Sequence, residues 1–175
     1  MFFKDTIMIP KNEDSTKKHI DENQYNTVFI KSEKRSENKN EHVSTVIDLL
    51  TNDHNKDIKH DALAALRNNK GIELLLEAIQ KTDDRDKKQK LIAACWESGI
   101  NCAKYLSTFV DLAIGEDYSG CLECMTVIED MVGPFNIEDL NKAKEKLLKS
   151  ISKADVKNEK KPLLQNIIDI VSGFQ

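Results

Sequence analysis

The sequence predicts an all-α protein, and three observations lead to this fold class. From residue 43 onward the apolar residues recur three and four positions apart, as they do on one face of an α-helix. Seven glycines and prolines fall between these apolar stripes, where they end helices and form turns: Gly71, Gly99, Gly115, Gly120, Gly133, Pro134 and Pro162. The chain has only 6 glycines and 3 prolines among 175 residues, which excludes the collagen-like and low-complexity classes.

Composition divides the chain at residue 42. Residues 1–42 contain 11 apolar residues, about 26%, whereas residues 43–175 contain 58, about 44%. The first part has too few apolar groups to offset the entropy of ordering, so it is predicted to be a flexible polar arm in front of one packed domain. Within the arm, residues 6–9 and 25–30 are β-like stretches that could pair with each other, lie along the domain or extend a partner's sheet.

The apolar stripes of residues 43–175 predict about eight helices. In chain order the stripes run over residues 43–50, 58–66, 72–79, 91–96, 105–113, 121–132, 137–151 and 163–174. The unbroken apolar run 91–96 predicts a helix that is covered on most sides. Capping residues stand before three of the helices: Asp83 or Asp84, Ser119 and Asn136.

A repeat of helix pairs is visible in the positions of small residues. Ala64-Ala65, Ala93-Ala94 and Cys124 lie about 29 to 30 residues apart, each inside the first helix of a pair. Residues 61–76, an alanine-rich helix joined by a short Asn/Gly link to a leucine-rich helix, resemble the armadillo and HEAT repeat families. This resemblance covers residues 43–175 and implies a short right-handed α-α superhelix, an α-solenoid that acts as a scaffold and binds other proteins. An irregular bundle of eight helices is the structural alternative.

The candidates for chemistry are few. The chain has no Gly-rich phosphate loop, no G-x-S-x-G elbow and no H-E-x-x-H motif, so it is predicted not to be an enzyme and to need no cofactor or metal. Cys121 and Cys124 form a C-x-x-C motif at a predicted helix start, where the helix dipole could favour thiolate chemistry. The alternative function is therefore a metal-responsive or thiol-redox protein that uses this pair, with Cys95 and Cys102 as further ligands. Packing of the four thiols in the core is the simpler interpretation.

Charge is distributed unevenly along the chain. Residues 97–139 contain nine acidic side chains and one basic one, Lys104, whereas residues 140–161 contain eight lysines and three acidic residues. This segregation favours a partner of opposite charge, so we expect an acidic surface in 97–139 that binds a basic or mixed-charge protein segment. The alternative is that these charges belong to ordinary solvated helix faces.

Six residues are predicted to contribute to partner binding. Trp96, the only tryptophan, stands beside Glu97 and one short loop before Tyr105, a combination that suits cation–π contact with a basic peptide. Lys104, Thr108 and Asp111 are expected on the face of the next helix opposite Leu106 and Phe109. The alternative for Trp96 is a core position with its indole N–H bonded to a carbonyl.

The remaining expectations concern partners and compartment. The net charge of −4 and the isoelectric point near 5.6 argue against a nucleic-acid partner. The sequence shows no apolar segment long enough for a signal peptide or a membrane span, and four cysteines without an export signal are typical of a cytoplasmic protein. A further hypothesis makes residues 1–42 a regulatory arm that covers the binding groove until a partner displaces it. The sequence leaves the oligomeric state open.

Overall fold

A computed structural model describes residues 45, 47–52, 56–67, 69–153 and 158–174 of the chain. The predictions for the arm of residues 1–42 lie outside these described residues. Every regular element within them is helical and none is a strand, which confirms the all-α class.

The described residues form seven α-helices and one 3₁₀ turn, preceded by a short helical stretch at 47–51. In chain order these are α1 (Lys56–Ala65), α2 (Asn69–Lys81), α3 (Arg85–Glu97), the 3₁₀ turn (Ala103–Tyr105), α4 (Leu106–Gly115), α5 (Tyr118–Glu129), α6 (Ile137–Ile151) and α7 (Lys161–Gly173). Each predicted stripe with described side chains coincides with one of these elements, although Leu66, Tyr105 and Phe174 each lie one residue outside the α-helix. The largest difference in extent is at α5. Helix α5 ends at Glu129, so Met131 and Val132 belong to the loop that follows.

Side-chain caps fix the starts of three helices. Asp84 accepts a hydrogen bond from the Lys87 backbone N–H at the start of α3, and Asn136 accepts one from Glu138 at the start of α6, as predicted. The cap of α5 is Asp117, which accepts from the Gly120 N–H at 3.0 Å, and not the predicted Ser119. Both residues are capping types, so the sequence alone did not decide between positions two residues apart.

Helix α3 ends in a tight turn at Gly99. The Ser98 N–H donates to the Ala94 carbonyl and the Gly99 N–H donates to the Trp96 carbonyl, which satisfies the last carbonyls of the helix. Gly99 has a φ of 69°, in the left-handed region that glycine adopts without a steric penalty. The turn leaves Trp96 in the last turn of α3, close to solvent.

Helices α3, α5 and α7 pack side by side, and each runs in the same direction as its neighbour. Near the starts of α3 and α5 Lys88 pairs with Glu116, and just beyond their ends Asn101 bonds to Val132. Just before α5 and α7, Lys160 donates a hydrogen bond to the Glu116 carbonyl. Just after the same two helices, the Phe135 ring stacks on the Phe174 ring. Helix α4 packs on α5 and α6, and α6 packs on α7.

One continuous apolar core joins these helices. Its largest fully buried side chains come from the stretch 47–51, the turn after α1 and each helix from α2 to α7: Leu49, Leu66, Leu75, Ile79, Leu91, Ile92, Phe109, Val110, Ile128, Leu147, Leu164 and Ile167. Helix α3 is covered on most sides, as the apolar run predicts, because Leu91, Ile92, Ala94 and Cys95 are buried. Its last apolar residue, Trp96, is the exception.

Candidate functional site

Trp96 lies at the surface between α3 and α5, with 36% of the residue exposed. Its indole Nε1–H donates to Glu123 Oε2 at 2.9 Å. The indole is therefore neither a core residue nor bonded to a carbonyl, and a carboxylate on the neighbouring helix fixes the orientation of its ring. Trp96 is thus a partly exposed aromatic side chain whose ring orientation is already set.

Glu123 accepts a second neutral donor. Gln89 Nε2 donates to Glu123 Oε1 at 3.3 Å, and Gln89 lies two turns before Trp96 on the same face of α3. Among the described residues, no Lys or Arg side chain pairs with Glu123, so its negative charge has no local counter-ion. We call Gln89, Trp96 and Glu123 the Trp96 surface.

Glu123 and Gln89 were not among the predicted binding residues, although the sequence held a signal for Glu123. In the predicted repeat Ala94 and Cys124 occupy equivalent positions 30 residues apart, and Ala93 and Glu123 are separated by the same 30 residues. Ala93 lies one turn before Trp96 on the same face, so parallel packing of α3 on α5 brings Glu123 next to the indole. Two apolar residues that precede Glu123 on α5, Tyr118 and Leu122, are also exposed and lie one helical turn apart.

Glu97, the predicted acidic neighbour of Trp96, is neutralised within the protein. Lys59 Nζ lies 2.9 Å from Glu97 Oε2 and 3.2 Å from Oε1, which joins α1 to the end of α3. A carboxylate engaged in such a pair contributes less to the capture of a basic partner than one without a counter-ion. The acidic member of the Trp96 surface is therefore Glu123.

The other predicted residues lie on the 3₁₀ turn and on α4. Lys104 and Asp111 are exposed, Tyr105 and Thr108 are half-buried, and Leu106 and Phe109 on the opposite face are buried, as their spacing predicts. Both oxygens of Asp111 lie 2.8 Å from Lys146 Nζ on α6. Asp111 thus contacts α6, whereas Trp96 contacts α5, and no hydrogen bond or ion pair among the described residues links the two.

The charge segregation along the chain is partly cancelled in space. Lys146 and Lys160, both from the lysine-rich stretch 140–161, reach back to the acidic stretch 97–139. Lys146 pairs with Asp111, and the buried Lys160 donates to the carbonyls of Ile114 (2.7 Å) and Glu116 at the end of α4. The molecule is therefore less polar electrically than the linear sequence indicates.

The C-x-x-C motif lies in the core. Cys121 and Cys124 are fully buried in the first half of α5 and, like Cys95 and Cys102, are free thiols. Burial raises the pKa of Cys121 to about 11, from an ordinary value of 9.0, and also raises the pKa of Cys124. Desolvation thus outweighs the attraction of the Lys160 cation, and these positions suit packing better than thiolate chemistry.

Cys102 differs from the other thiols. Cys102 is buried too, but the neighbouring Cys95 side chain lowers the pKa of Cys102, while the Cys102 side chain and burial together raise the pKa of Cys95. In the part of the chain that the structure describes, no group of three or more His, Cys, Asp or Glu side chains is arranged to hold a metal ion.

These pKa differences predict an order of thiol alkylation in the folded protein. At about pH 8 the Cys121 thiol, with a pKa near 11, is ionised in about one molecule in a thousand, whereas the lowered pKa of Cys102 favours its thiolate. We expect iodoacetamide to modify Cys102 first, with the rate rising with pH, as followed by peptide mass spectrometry. In denaturant all four thiols should react alike. Modification of folded Cys121 as fast as Cys102 would contradict the raised pKa of Cys121 and the lowered pKa of Cys102.

Comparisons with known proteins add no assignment: no protein-family model, curated protein or solved structure matches the chain. Within the described residues, no helix has the length and apolar character needed to cross a membrane. Function is therefore inferred from the geometry of the chain's own residues.

Proposed function

We propose that this protein is a non-catalytic interaction module that binds a basic segment of a partner protein through the Trp96 surface. The observation that carries the proposal is the exposed indole of Trp96, fixed by a hydrogen bond to Glu123, a carboxylate with no cation beside it among the described residues. A positively charged side chain placed there would meet an aromatic face and an uncompensated negative charge together. Arginine and lysine are the side chains that satisfy both groups.

The geometry of the surface favours binding energetically. Because the indole N–H and Gln89 already bond to Glu123, the groups that would meet a partner are ordered before it arrives, which lowers the entropic cost of association. Tryptophan is among the residues that most often dominate the energy of protein–protein interfaces.

The arrangement of the helices supports a finer proposal about the fold. Parallel packing of α3, α5 and α7, with α4 on α6 and with α2–α3, α4–α5 and α6–α7 as the adjoining pairs, is what stacked helix pairs require. These pairs are offset by one helix from the predicted ones, because α3 and α5, which were expected to be the first helices of their pairs, each pack on the helix that precedes them. We therefore propose a short right-handed superhelix of the HEAT and armadillo type, acting as a scaffold. Four free thiols suit a reducing compartment, and the cytoplasm is the proposed location.

Affinity capture with matched variants tests the proposed function. Tagged wild-type protein, Trp96→Ala and Leu148→Ser would be incubated with native cytosol at low and high salt, and retained proteins quantified by mass spectrometry. Leu148 is the control because it is also a large exposed apolar residue, on α6. We expect a partner that wild type and Leu148→Ser retain at low salt, that high salt releases, and that Trp96→Ala retains about tenfold less.

The same experiment can contradict the proposal. If no retained protein depends on Trp96, or if Leu148→Ser loses the partner as fully as Trp96→Ala does, the Trp96 surface is not the binding site. Glu123→Gln separates the role of charge from that of the indole. This variant keeps the hydrogen-bond acceptor but removes the negative charge, and it should weaken capture and reduce its dependence on salt.

A further inference from the structure

The loop between α5 and α6 and the first residue of α6 expose apolar side chains to an unusual degree. Val132 and Ile137 are 68% and 73% exposed, the highest values among the large apolar residues that the structure describes. Pro134 between them is also exposed, and Phe135 is half-buried. Four apolar residues are thus presented within six positions, at a point where a polar loop would be expected.

The loop is held in one conformation by contacts on three sides. The Asn101 side chain donates to the Val132 carbonyl at 2.7 Å and accepts from the Val132 N–H at 3.2 Å. The Phe135 ring stacks on the Phe174 ring, with centroids 4.2 Å apart, and Asn136 caps α6. An exposed apolar segment fixed in this way has already lost its backbone entropy, so ordering it would cost a partner little free energy.

Every charged residue of the segment 129–139 is acidic. Glu129 and Asp130 precede the apolar residues, and Glu138 and Asp139 follow them. All four are exposed, and the only cation paired with them among the described residues is Lys142, which lies 3.9 Å from Glu138. The apolar residues are therefore flanked on both sides by negative charge that the described part of the protein leaves largely uncompensated.

We propose that residues 129–139 form a second docking surface, distinct from the Trp96 surface, for an amphipathic helix of a partner protein that carries apolar residues flanked by lysine or arginine. The apolar side of such a helix would cover Val132, Pro134 and Ile137. Its basic residues would meet the four carboxylates, which would select it over acidic helices. The partner of this surface must therefore supply apolar side chains as well as positive charge, whereas the partner of the Trp96 surface is recognised by its positive charge.

A designed peptide that mimics the proposed helix tests the proposal directly. The probe is a short peptide of leucine and lysine arranged as an amphipathic helix, and its controls carry serine in place of leucine or glutamate in place of lysine. Each peptide is titrated into the isotope-labelled full chain, and binding is mapped by shifts of backbone amide resonances. We expect saturable shifts in residues 129–139 with the leucine–lysine probe, and weaker or no shifts there with either control.

Variants then assign the binding energy. The double variant Val132→Ser and Ile137→Ser should lower probe affinity about tenfold, the loss expected when central apolar contacts are removed. Because both side chains are largely exposed, the fold should persist, and unchanged amide shifts elsewhere would verify this. Leu148→Ser is the matched control and should bind as wild type does. Asp130→Asn with Asp139→Asn should weaken binding and reduce its salt dependence.

Three results would overturn the proposal: no binding of the probe, shifts confined to residues outside 129–139, or unchanged affinity in the Val132/Ile137 double variant. The indole N–H resonance of Trp96 reports on the other surface in the same spectra. The two proposals can therefore succeed or fail separately, and Trp96→Ala should leave the shifts of the 129–139 loop unchanged.

Discussion

Phe109→Ala is expected to destabilise the protein by roughly 3–5 kcal/mol, a large part of the total stability of an ordinary domain, which is about 5–15 kcal/mol. Phe109 has no exposed surface and sits in the middle of α4, the helix that packs on both α5 and α6. Truncating it removes the aromatic ring's buried area and leaves a cavity that the two neighbouring helices can only partly fill. Urea unfolding followed by far-ultraviolet circular dichroism measures the loss.

The control for this prediction is Leu148→Ala. Leu148 is also a large apolar residue in a helix, but it is 56% exposed, so its truncation should change the free energy of unfolding by about 0.5 kcal/mol or less. If the two variants unfold at the same urea concentration, Phe109 does not occupy the centre of the core.

Lys160→Met is expected to cost about 2 kcal/mol, because it leaves two carbonyl groups without their donor. Lys160 is only 8% exposed, and its ammonium group donates to the carbonyls of Ile114 and Glu116. These carbonyls end α4, where the helix dipole is negative and a cation is stabilising. Methionine retains the length of the side chain and removes the charge and the donors.

Lys149→Met, on the exposed face of α6, is the matched control and should be nearly neutral. Both variants would be compared with wild type by chemical unfolding. A Lys160→Met protein as stable as wild type would mean that the cost of burying the ammonium group balances its hydrogen bonds.

Several features of the fold could be predicted from the sequence because they are local. The apolar spacing within each helix, the cap at Asp84 and the cap at Asn136 depend on residues a few positions apart, and the structure has them where predicted. The end of α5 was misplaced because Met131 remains buried although it lies outside the helix. The side chain of Asn101, thirty-one residues away, holds the adjacent Val132 instead.

The candidate site was harder to predict because it depends on which helices are neighbours. Sequence spacing placed Trp96 in an apolar run, and only the position of α5 shows that its indole meets Glu123 at the surface. The pairs Lys59–Glu97 and Lys146–Asp111 join residues 38 and 35 positions apart, so a charge count along the chain could not show that these carboxylates are compensated. The reactivity of the two C-x-x-C thiols was also hard to predict, because burial is the main cause of their raised pKa values and depends on which helices cover them.

The most direct test of the central claim uses Trp96 as its own reporter, since it is the only tryptophan in the chain. The quenching of its fluorescence by acrylamide would be measured for the free protein and for its complex with the partner retained in the capture experiment, with any partner tryptophans replaced. If a basic segment of the partner covers the Trp96 surface, the complex should show markedly weaker quenching, and high salt should restore the free value. Equal quenching in the free protein and in a saturated complex would place the partner elsewhere and contradict the proposed function.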